Sequence, residues 1–233
     1  MISMVLYHTM WDLIYMFGVD IPWYETRAGF VWQQSICWTF ILLSGFCWSL
    51  GRKKLKRGLQ VFGASVLISA VTLIAMPDNR VLFGVLSLLG TAMLLTIPLD
   101  RILKKVPSCM GVLASFGLFM LTRNVNDGYL GLGSKAWLRL PDEWYANWLT
   151  AYLGFPAADF WSTDYFSVLP WIFLFWTGYF LYHIVDKRGH MHWFCGFRNR
   201  FLEAIGRHSL EIYLLHQPII YAVLYLFFIG LSM

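Results

Sequence analysis

The chain has 233 residues, of which 58% are hydrophobic and only 13% are charged. A soluble globular domain carries about twice that share of charged residues, so a soluble fold of this size is excluded. The apolar residues fall in blocks long enough to cross a bilayer core of about 30 Å, without the period-two alternation of a membrane β-barrel. We therefore predict an all-α protein, a polytopic membrane helical bundle.

About seven transmembrane helices are predicted from these blocks. In chain order the blocks run over about residues 1–17, 28–50, 59–76, 81–99, 108–121, 164–185 and 201–231. A polar, Trp-rich loop over about residues 122–163 separates the fifth block from the sixth. We expect a single transmembrane domain over residues 1–233.

Basic residues cluster in alternate connections between the blocks. The clusters are Arg52, Lys53, Lys54, Lys56 and Arg57; Arg101, Lys104 and Lys105; and Lys187, Arg188, Arg198 and Arg200. The positive-inside rule then predicts a cytosolic N-terminus and places the 122–163 loop and the C-terminus outside. Because the net charge of +5 comes from these loops, it does not predict a nucleic acid partner.

One polar cluster lies on the first block. Polar groups within membrane helices are costly and usually face a cavity or a partner. His8 and Asp12 are one turn apart and share a face of the helix. Asp12 could accept a hydrogen bond from one imidazole nitrogen and leave the other as a base. The alternative is a buried polar pair that only joins two helices; we favour the functional interpretation.

A second polar cluster lies on the last block. Arg207 and Glu211 have i, i+4 spacing and could pair near the cytosolic face. His216 and Gln217 lie deeper, just before Pro218, which would kink the helix. For His216, structural and functional roles stay open. The rise per residue puts both clusters near mid-membrane, where they could meet.

The cationic run over residues 51–57 has two interpretations. It is either a positive-inside anchor or a docking patch for a phosphate-rich ligand from the cytosol. The cysteines and the histidines of the cytosolic connection lack metal-ligand spacing, so no metal is predicted.

Motifs along nearly the whole chain resemble, in order, those of bacterial members of the heparan-α-glucosaminide N-acetyltransferase family. That family is part of a wider superfamily of transmembrane acyltransferases, which includes the acyltransferase type 3 family. The similar stretches are Met4 to His8 with Trp11, Asp12 and Leu13; Phe40 to Gly45; Leu82 to Gly90; Asp164 to Phe166; Leu169 to Trp171; Thr177 to Tyr179; and Gly206 to Pro218.

This resemblance implies an enzyme that moves an acyl group, typically acetyl, from cytosolic acyl-CoA to an acceptor on the far side. No permanently bound cofactor is expected, since acetyl-CoA or another acyl-CoA is a co-substrate. His8 matches the family's catalytic position, as general base or transient acyl carrier, and Asp12 would orient it. The location implied is a bacterial inner or plasma membrane.

The resemblance also suggests binding roles for other residues. The cations Arg52, Lys53, Lys54, Lys56 and Arg57 would hold the CoA phosphates. Asp164 and the Trp-rich loop would suit a sugar-like acceptor. Arg207, Glu211, His216 and Gln217 are further candidates for substrate contact or for support of the site.

The resemblance has one departure. Family members usually have a cytosolic Arg and an Asp-x-x-Arg-Gly stretch before the first helix. This sequence starts at Met1, inside the match, so either the start lies upstream or that turn is missing.

Two other classes of function remain open. A small-molecule transporter or exporter would use the same polar groups to line a substrate path, although no inverted repeat is visible. A non-catalytic membrane scaffold would need none of them. The sequence is compatible with a homo-oligomer and leaves the acceptor, the acyl length and the choice between direct transfer and an acyl-histidine open.

Overall fold

The computed structural model describes residues 1–196 and 199–232 and is largely helical. The helices are α1 Ile2–Tyr15, α2 Arg27–Trp48, α3 Lys54–Ala75, α4 Val85–Leu103, α5 Ser108–Thr122, α6 Trp148–Leu153, α7 Val168–Lys187, α8 Met191–Gly196, α9 Arg200–Arg207 and α10 Ser209–Ser232. Two short strands, β1 Tyr129–Leu132 and β2 Lys135–Arg139, form an antiparallel hairpin. The predicted all-α class is confirmed.

Six helices of the described chain are long and apolar enough to cross a membrane: α2, α3, α4, α7, α10, and α5 together with the turn that continues it to Asp127. The protein is therefore a multi-pass membrane protein. The first predicted block forms the 14-residue helix α1, which is about 21 Å long and shorter than a bilayer core. The number of full-length spans is thus one below the predicted seven. The sidedness stays a prediction, and Arg198 lies outside the described residues.

Two helix boundaries in the structure differ from the predicted blocks. The last block is two helices, because His208 adopts φ −102° and ψ 24° between α9 and α10. The sixth block starts as a helix only at Val168. The residues before it pair instead with the segment that precedes α4: Phe166 N–H donates to the Phe83 carbonyl over 2.8 Å.

The chain divides into two compact units, which are described separately: Met1–Thr39 with His192–Met233, and Phe40–Met191. In the first unit α1 packs against α10, where the rings of Phe17 and Phe228 stack at 4.8 Å. The start of α2 is fixed to α1 by a 2.8 Å hydrogen bond from Trp32 Nε1 to Ser3 Oγ. The single domain over residues 1–233 stays a prediction.

In the second unit α7 packs against both α4 and α5. Its residues Leu174, Phe175 and Tyr179 are fully buried. Hydrogen bonds add to the apolar contacts, since Ser115 Oγ on α5 lies 2.9 Å from Thr177 Oγ1 on α7. Polar links between membrane helices favour one arrangement of the helices, because an unpaired polar group in lipid is costly.

The C-terminal half of α2 approaches α7 closely at Gly178. A Cβ atom at this position would lie 2.0 Å from the carbonyl oxygen of Leu42, well inside van der Waals contact. Gly45 meets Phe175 in the same way from the other helix. Small residues at helix interfaces allow membrane helices to approach at backbone distance. Gly45 and Gly178 therefore set the distance between α2 and α7.

Many hydroxyl groups in the helices bond within their own helix. Each hydroxyl donates to the carbonyl four residues earlier, as in Thr9, Ser44, Thr72, Thr96 and Thr122. This local bond satisfies the hydroxyl without a partner helix. Such residues explain much of the polarity of the apolar blocks without any functional role.

Candidate functional site

A few buried polar atoms lack a hydrogen-bond partner within the described part of the chain. They are Oδ2 of Asp12, Oγ of Ser49, Nε2 of His183 and Nε2 of His216. An unsatisfied buried polar group costs about 1–3 kcal/mol, so each calls for an explanation. Asp12 and His216 belong to the first unit, on the paired helices α1 and α10.

His8 and His216 form the centre of this site. Their ring centroids are 4.9 Å apart and the ring planes are inclined by 61°. His216 is only 8% exposed, whereas His8 is half-buried. The structure therefore brings together one histidine from each polar cluster of the sequence.

The hydrogen bonding of His216 defines its tautomer. Its Nδ1 lies 2.7 Å from the carbonyl oxygen of Tyr213. A carbonyl only accepts hydrogen bonds, so Nδ1 must carry the proton. In the neutral ring Nε2 then presents a lone pair, and this is the buried atom without a partner. His216 is consequently prepared to accept a hydrogen bond or a proton from a substrate.

Asp12 pairs with α10 and not with His8. Its Oδ1 accepts a hydrogen bond from Nε2 of Gln217 over 3.4 Å, and the structure has no hydrogen bond between His8 and Asp12. The residue is 2% exposed, and its Oδ2 is unpartnered. Asp12 and His216 thus offer two acceptor atoms to a ligand rich in O–H or N–H groups.

The predicted pair of Arg207 and Glu211 is not formed. The break at His208 separates the two residues onto α9 and α10, so the i, i+4 spacing of one continuous helix does not apply. Both side chains are exposed. Neither has an ion-pair partner in the described part of the chain.

The catalytic-domain model of the heparan-alpha-glucosaminide N-acetyltransferase family matches residues 1–218. The chain belongs to this family. The match includes the positions of His8, Asp12, His216 and Gln217. Neither curated proteins nor solved structures gave a match. Family membership and the six spanning helices together indicate a multi-pass membrane acetyltransferase.

In the second unit of this acetyltransferase, Asp164 lies against the start of α4. Its Oδ2 accepts a hydrogen bond from the backbone N–H of Val85 over 3.3 Å. Its carboxyl group is enclosed, although the residue keeps some exposed surface. Burial raises the pKa of Asp164 to about 6, and the hydrogen bond from Val85 opposes part of that rise. Asp164 therefore satisfies a backbone N–H at the amino end of α4, and its contact with a sugar-like acceptor stays a prediction.

Most of the cationic run is exposed. Arg52, Lys53, Lys56 and Arg57 are exposed, and Lys54 is half-buried. The Nζ of Lys54 lies 3.5 Å from the centre of the Trp48 ring, in a cation–π contact. Four cations of the run thus face solvent, where they can meet an anionic ligand.

Sequence reasoning missed a polar cluster on α4 and α7. Tyr179 Oη donates to Asp100 Oδ1 over 2.7 Å, and Asp100 Oδ2 forms an ion pair of 2.6 Å with Lys104. The ring of His183 lies 4.6 Å from that of Tyr179. The signal was an acidic residue, Asp100, directly after the fourth predicted block, and a tyrosine and a histidine one turn apart in the sixth block. Nothing in the spacing along the chain joins the two helices.

Proposed function

We propose that this acetyltransferase transfers an acyl group, acetyl in the simplest case, from cytosolic acyl-CoA to a glycan or similar polar acceptor on the far side. The observation that carries the proposal is the contact between the rings of His8 and His216. With it go two acceptor atoms that have no hydrogen-bond partner in the described chain, Nε2 of His216 and Oδ2 of Asp12. Family membership supports acetyl transfer in general. The donor, the acceptor and the direction are the proposed part.

In the proposed reaction His8 is the general base. The acceptor O–H or N–H gives its proton to His8, and the acceptor atom attacks the thioester carbonyl carbon. The new C–O or C–N bond forms as the C–S bond breaks, and the leaving CoA thiolate takes the proton from His8. The products are the acylated acceptor and CoA as free thiol.

His216 and Asp12 bind the acceptor in this scheme. Nε2 of His216 and Oδ2 of Asp12 can each accept a hydrogen bond, and neither atom has a donor within the described chain. A sugar presents several hydroxyl donors on neighbouring carbons, which suits two acceptors on adjoining helices. Positioning of this kind contributes to the rate because it holds the reacting groups together.

The exposed cations Arg52, Lys53, Lys56 and Arg57 are the proposed contacts for the CoA phosphates, with Lys54 beside them. Charge-assisted bonds to phosphate are roughly twice as strong as neutral ones. This patch would hold the nucleotide end of the donor, while the thioester reacts elsewhere.

The experiment is a transfer assay with purified protein in nanodiscs, labelled acetyl-CoA and a panel of mono- and oligosaccharides. We expect His8→Ala to lose at least about 10²-fold in turnover, the usual contribution of a general base. Thr9→Ala is the matched control, because the Thr9 hydroxyl bonds only to its own helix at Val5.

Full activity of His8→Ala in folded protein would overturn the assigned base. A folded wild type that binds no acyl-CoA, yet takes up labelled solute into proteoliposomes, would replace the enzyme with a transporter. A protein that does neither, and tolerates loss of both His8 and His216, would be a scaffold.

A further inference from the structure

The short helix α6, Trp148–Leu153, has an apolar side that the protein does not cover. The side chains of Trp148, Leu149 and Leu153 are 56%, 69% and 43% exposed. Leu149 and Leu153 are one turn apart and share a face, with Trp148 beside them. Large apolar side chains grouped on one side of a helix mark a surface that contacts something other than water.

The other side of α6 is fixed to two membrane-spanning helices. Ala151 is fully buried, and α6 packs against α7. The hydroxyl of Tyr152 is hydrogen-bonded to that of Thr91, which lies six residues after the first residue of α4. Six residues correspond to about 9 Å along the helix axis. If α4 spans the bilayer, α6 lies at the depth of its first turns.

The segment before α6 has the composition of a membrane interface. The exposed Trp137, at 64%, lies at a bulge in the β1–β2 hairpin and has no opposite residue in the strand register. Lys135 and Arg139 flank it and are exposed. Tryptophan concentrates at headgroup level, and Lys and Arg attract lipid phosphates. The hairpin over Tyr129–Arg139 has two cations and no acidic residue, which fits a phospholipid surface.

We propose that α6 lies in the headgroup region of the same bilayer that α4 and α7 cross. Trp148, Leu149 and Leu153 point towards the acyl chains, and the hairpin cations contact lipid phosphates. The segment that joins α5 to α7 is thus a membrane-bound element rather than a loop in water. The inference does not depend on the proposed reaction, since it uses only the second unit of the structure.

The test places a nitroxide spin label at Leu149→Cys or Leu153→Cys, in a variant with the four native cysteines replaced. Protein in nanodiscs of phosphatidylcholine with phosphatidylglycerol is probed by collision with oxygen, which concentrates in lipid, and with a water-soluble nickel chelate. Glu143→Cys is the matched control, because it is exposed in the same segment outside α6. Unchanged thermal unfolding confirms that each labelled variant is folded.

We expect the ratio of oxygen to nickel accessibility to be several-fold higher at residues 149 and 153 than at residue 143. Equal ratios at the three positions would overturn the proposal, because α6 would then face water. Low accessibility to both probes at residues 149 and 153 would also overturn it. The apolar side would then be covered by protein, such as a second copy of the chain.

Discussion

The side-chain amide of Gln217 donates a hydrogen bond to Oδ1 of Asp12 and so joins α10 to α1 over 3.4 Å. We expect Gln217→Met to destabilise the first unit by about 1–3 kcal/mol, because the buried carboxylate loses its donor. Thermal unfolding in detergent measures this loss. In Asp12→Asn with Gln217→Met the two losses should be less than additive, whereas strict additivity would show that the residues do not interact.

The unpartnered Nε2 of His216 leads to a second prediction. In His216→Asn the side-chain N–H₂ can still donate to the Tyr213 carbonyl, but the acceptor at the position of Nε2 is lost. We expect the KM for the acceptor to rise about tenfold, the equivalent of one lost hydrogen bond, with the KM for acyl-CoA unchanged. His208→Asn, at an exposed histidine, is the control. A rise confined to the acyl-CoA KM would contradict the role given to His216.

The sequence identified the four residues of the candidate site but not how they pair. His8, Asp12, His216 and Gln217 could be found because charged or amide side chains in apolar blocks are rare and costly. The i, i+4 rule then suggested pairs within one helix, His8 with Asp12 and Arg207 with Glu211. In the structure Asp12 pairs across helices, and the helix is broken at His208. Spacing along one sequence reports neither a partner helix nor a break.

The remaining features depend on contacts between distant residues. The hydrogen bond between Asp164 and the start of α4 joins residues 79 positions apart. In the sequence alone, Asp164 is only an acidic residue at the start of an apolar block. The six spans found in the described chain needed no such contact to be predicted, because composition and length determine them locally. The hairpin and α6 were missed since the 122–163 loop lacks a strong apolar period.

A third prediction concerns the close approach of α2 and α7. Gly178→Ala should destabilise the second unit by at least about 1–3 kcal/mol, since its methyl group would overlap the Leu42 backbone. Gly63→Ala on α3 is the matched control, because a Cβ there has nothing within 4 Å. We expect Gly63→Ala to be neutral or stabilising, as Ala favours the helix. Equal unfolding temperatures for the two variants would contradict the packing described for Gly178.

A fourth prediction follows from the pKa of Asp164, which burial raises from 3.8 to about 6. The folded state holds this proton more tightly than the unfolded state. The stabilisation, about 3 kcal/mol, is therefore complete below about pH 4 and is lost as the pH rises through 6. Asp164→Asn keeps an acceptor for the Val85 N–H but cannot titrate.

Unfolding temperatures between pH 4 and pH 7.5 test this expectation. The part of the pH dependence due to Asp164 should disappear in Asp164→Asn, which should be at least as stable as the wild type at pH 7.5. Asp159→Asn, at an exposed carboxylate of the same loop, should retain the wild-type slope. An Asp164→Asn profile parallel to the wild type would exclude Asp164 as the titrating group.

A fifth prediction concerns the cationic run. Replacing Arg52 and Lys53 together by Gln should raise the KM for acyl-CoA, most strongly at low salt, because exposed charges are screened as ionic strength increases. Arg101 and Lys105 are also exposed cations, and their double replacement by Gln changes the net charge equally. If both double variants bind acyl-CoA equally weakly, overall charge and not the run accounts for the effect.

The hydrogen bond from His216 Nδ1 to the Tyr213 carbonyl also limits how protons can move through the membrane protein. Two imidazoles 4.9 Å apart inside a membrane protein are a potential path for proton leakage. While Nδ1 remains bonded to the carbonyl, His216 can take up and release a proton only through Nε2, on a single side of its ring. Such a histidine cannot pass protons through itself from one nitrogen to the other. If the site carries out the proposed acid–base chemistry, this bond keeps His216 itself from relaying protons across the membrane.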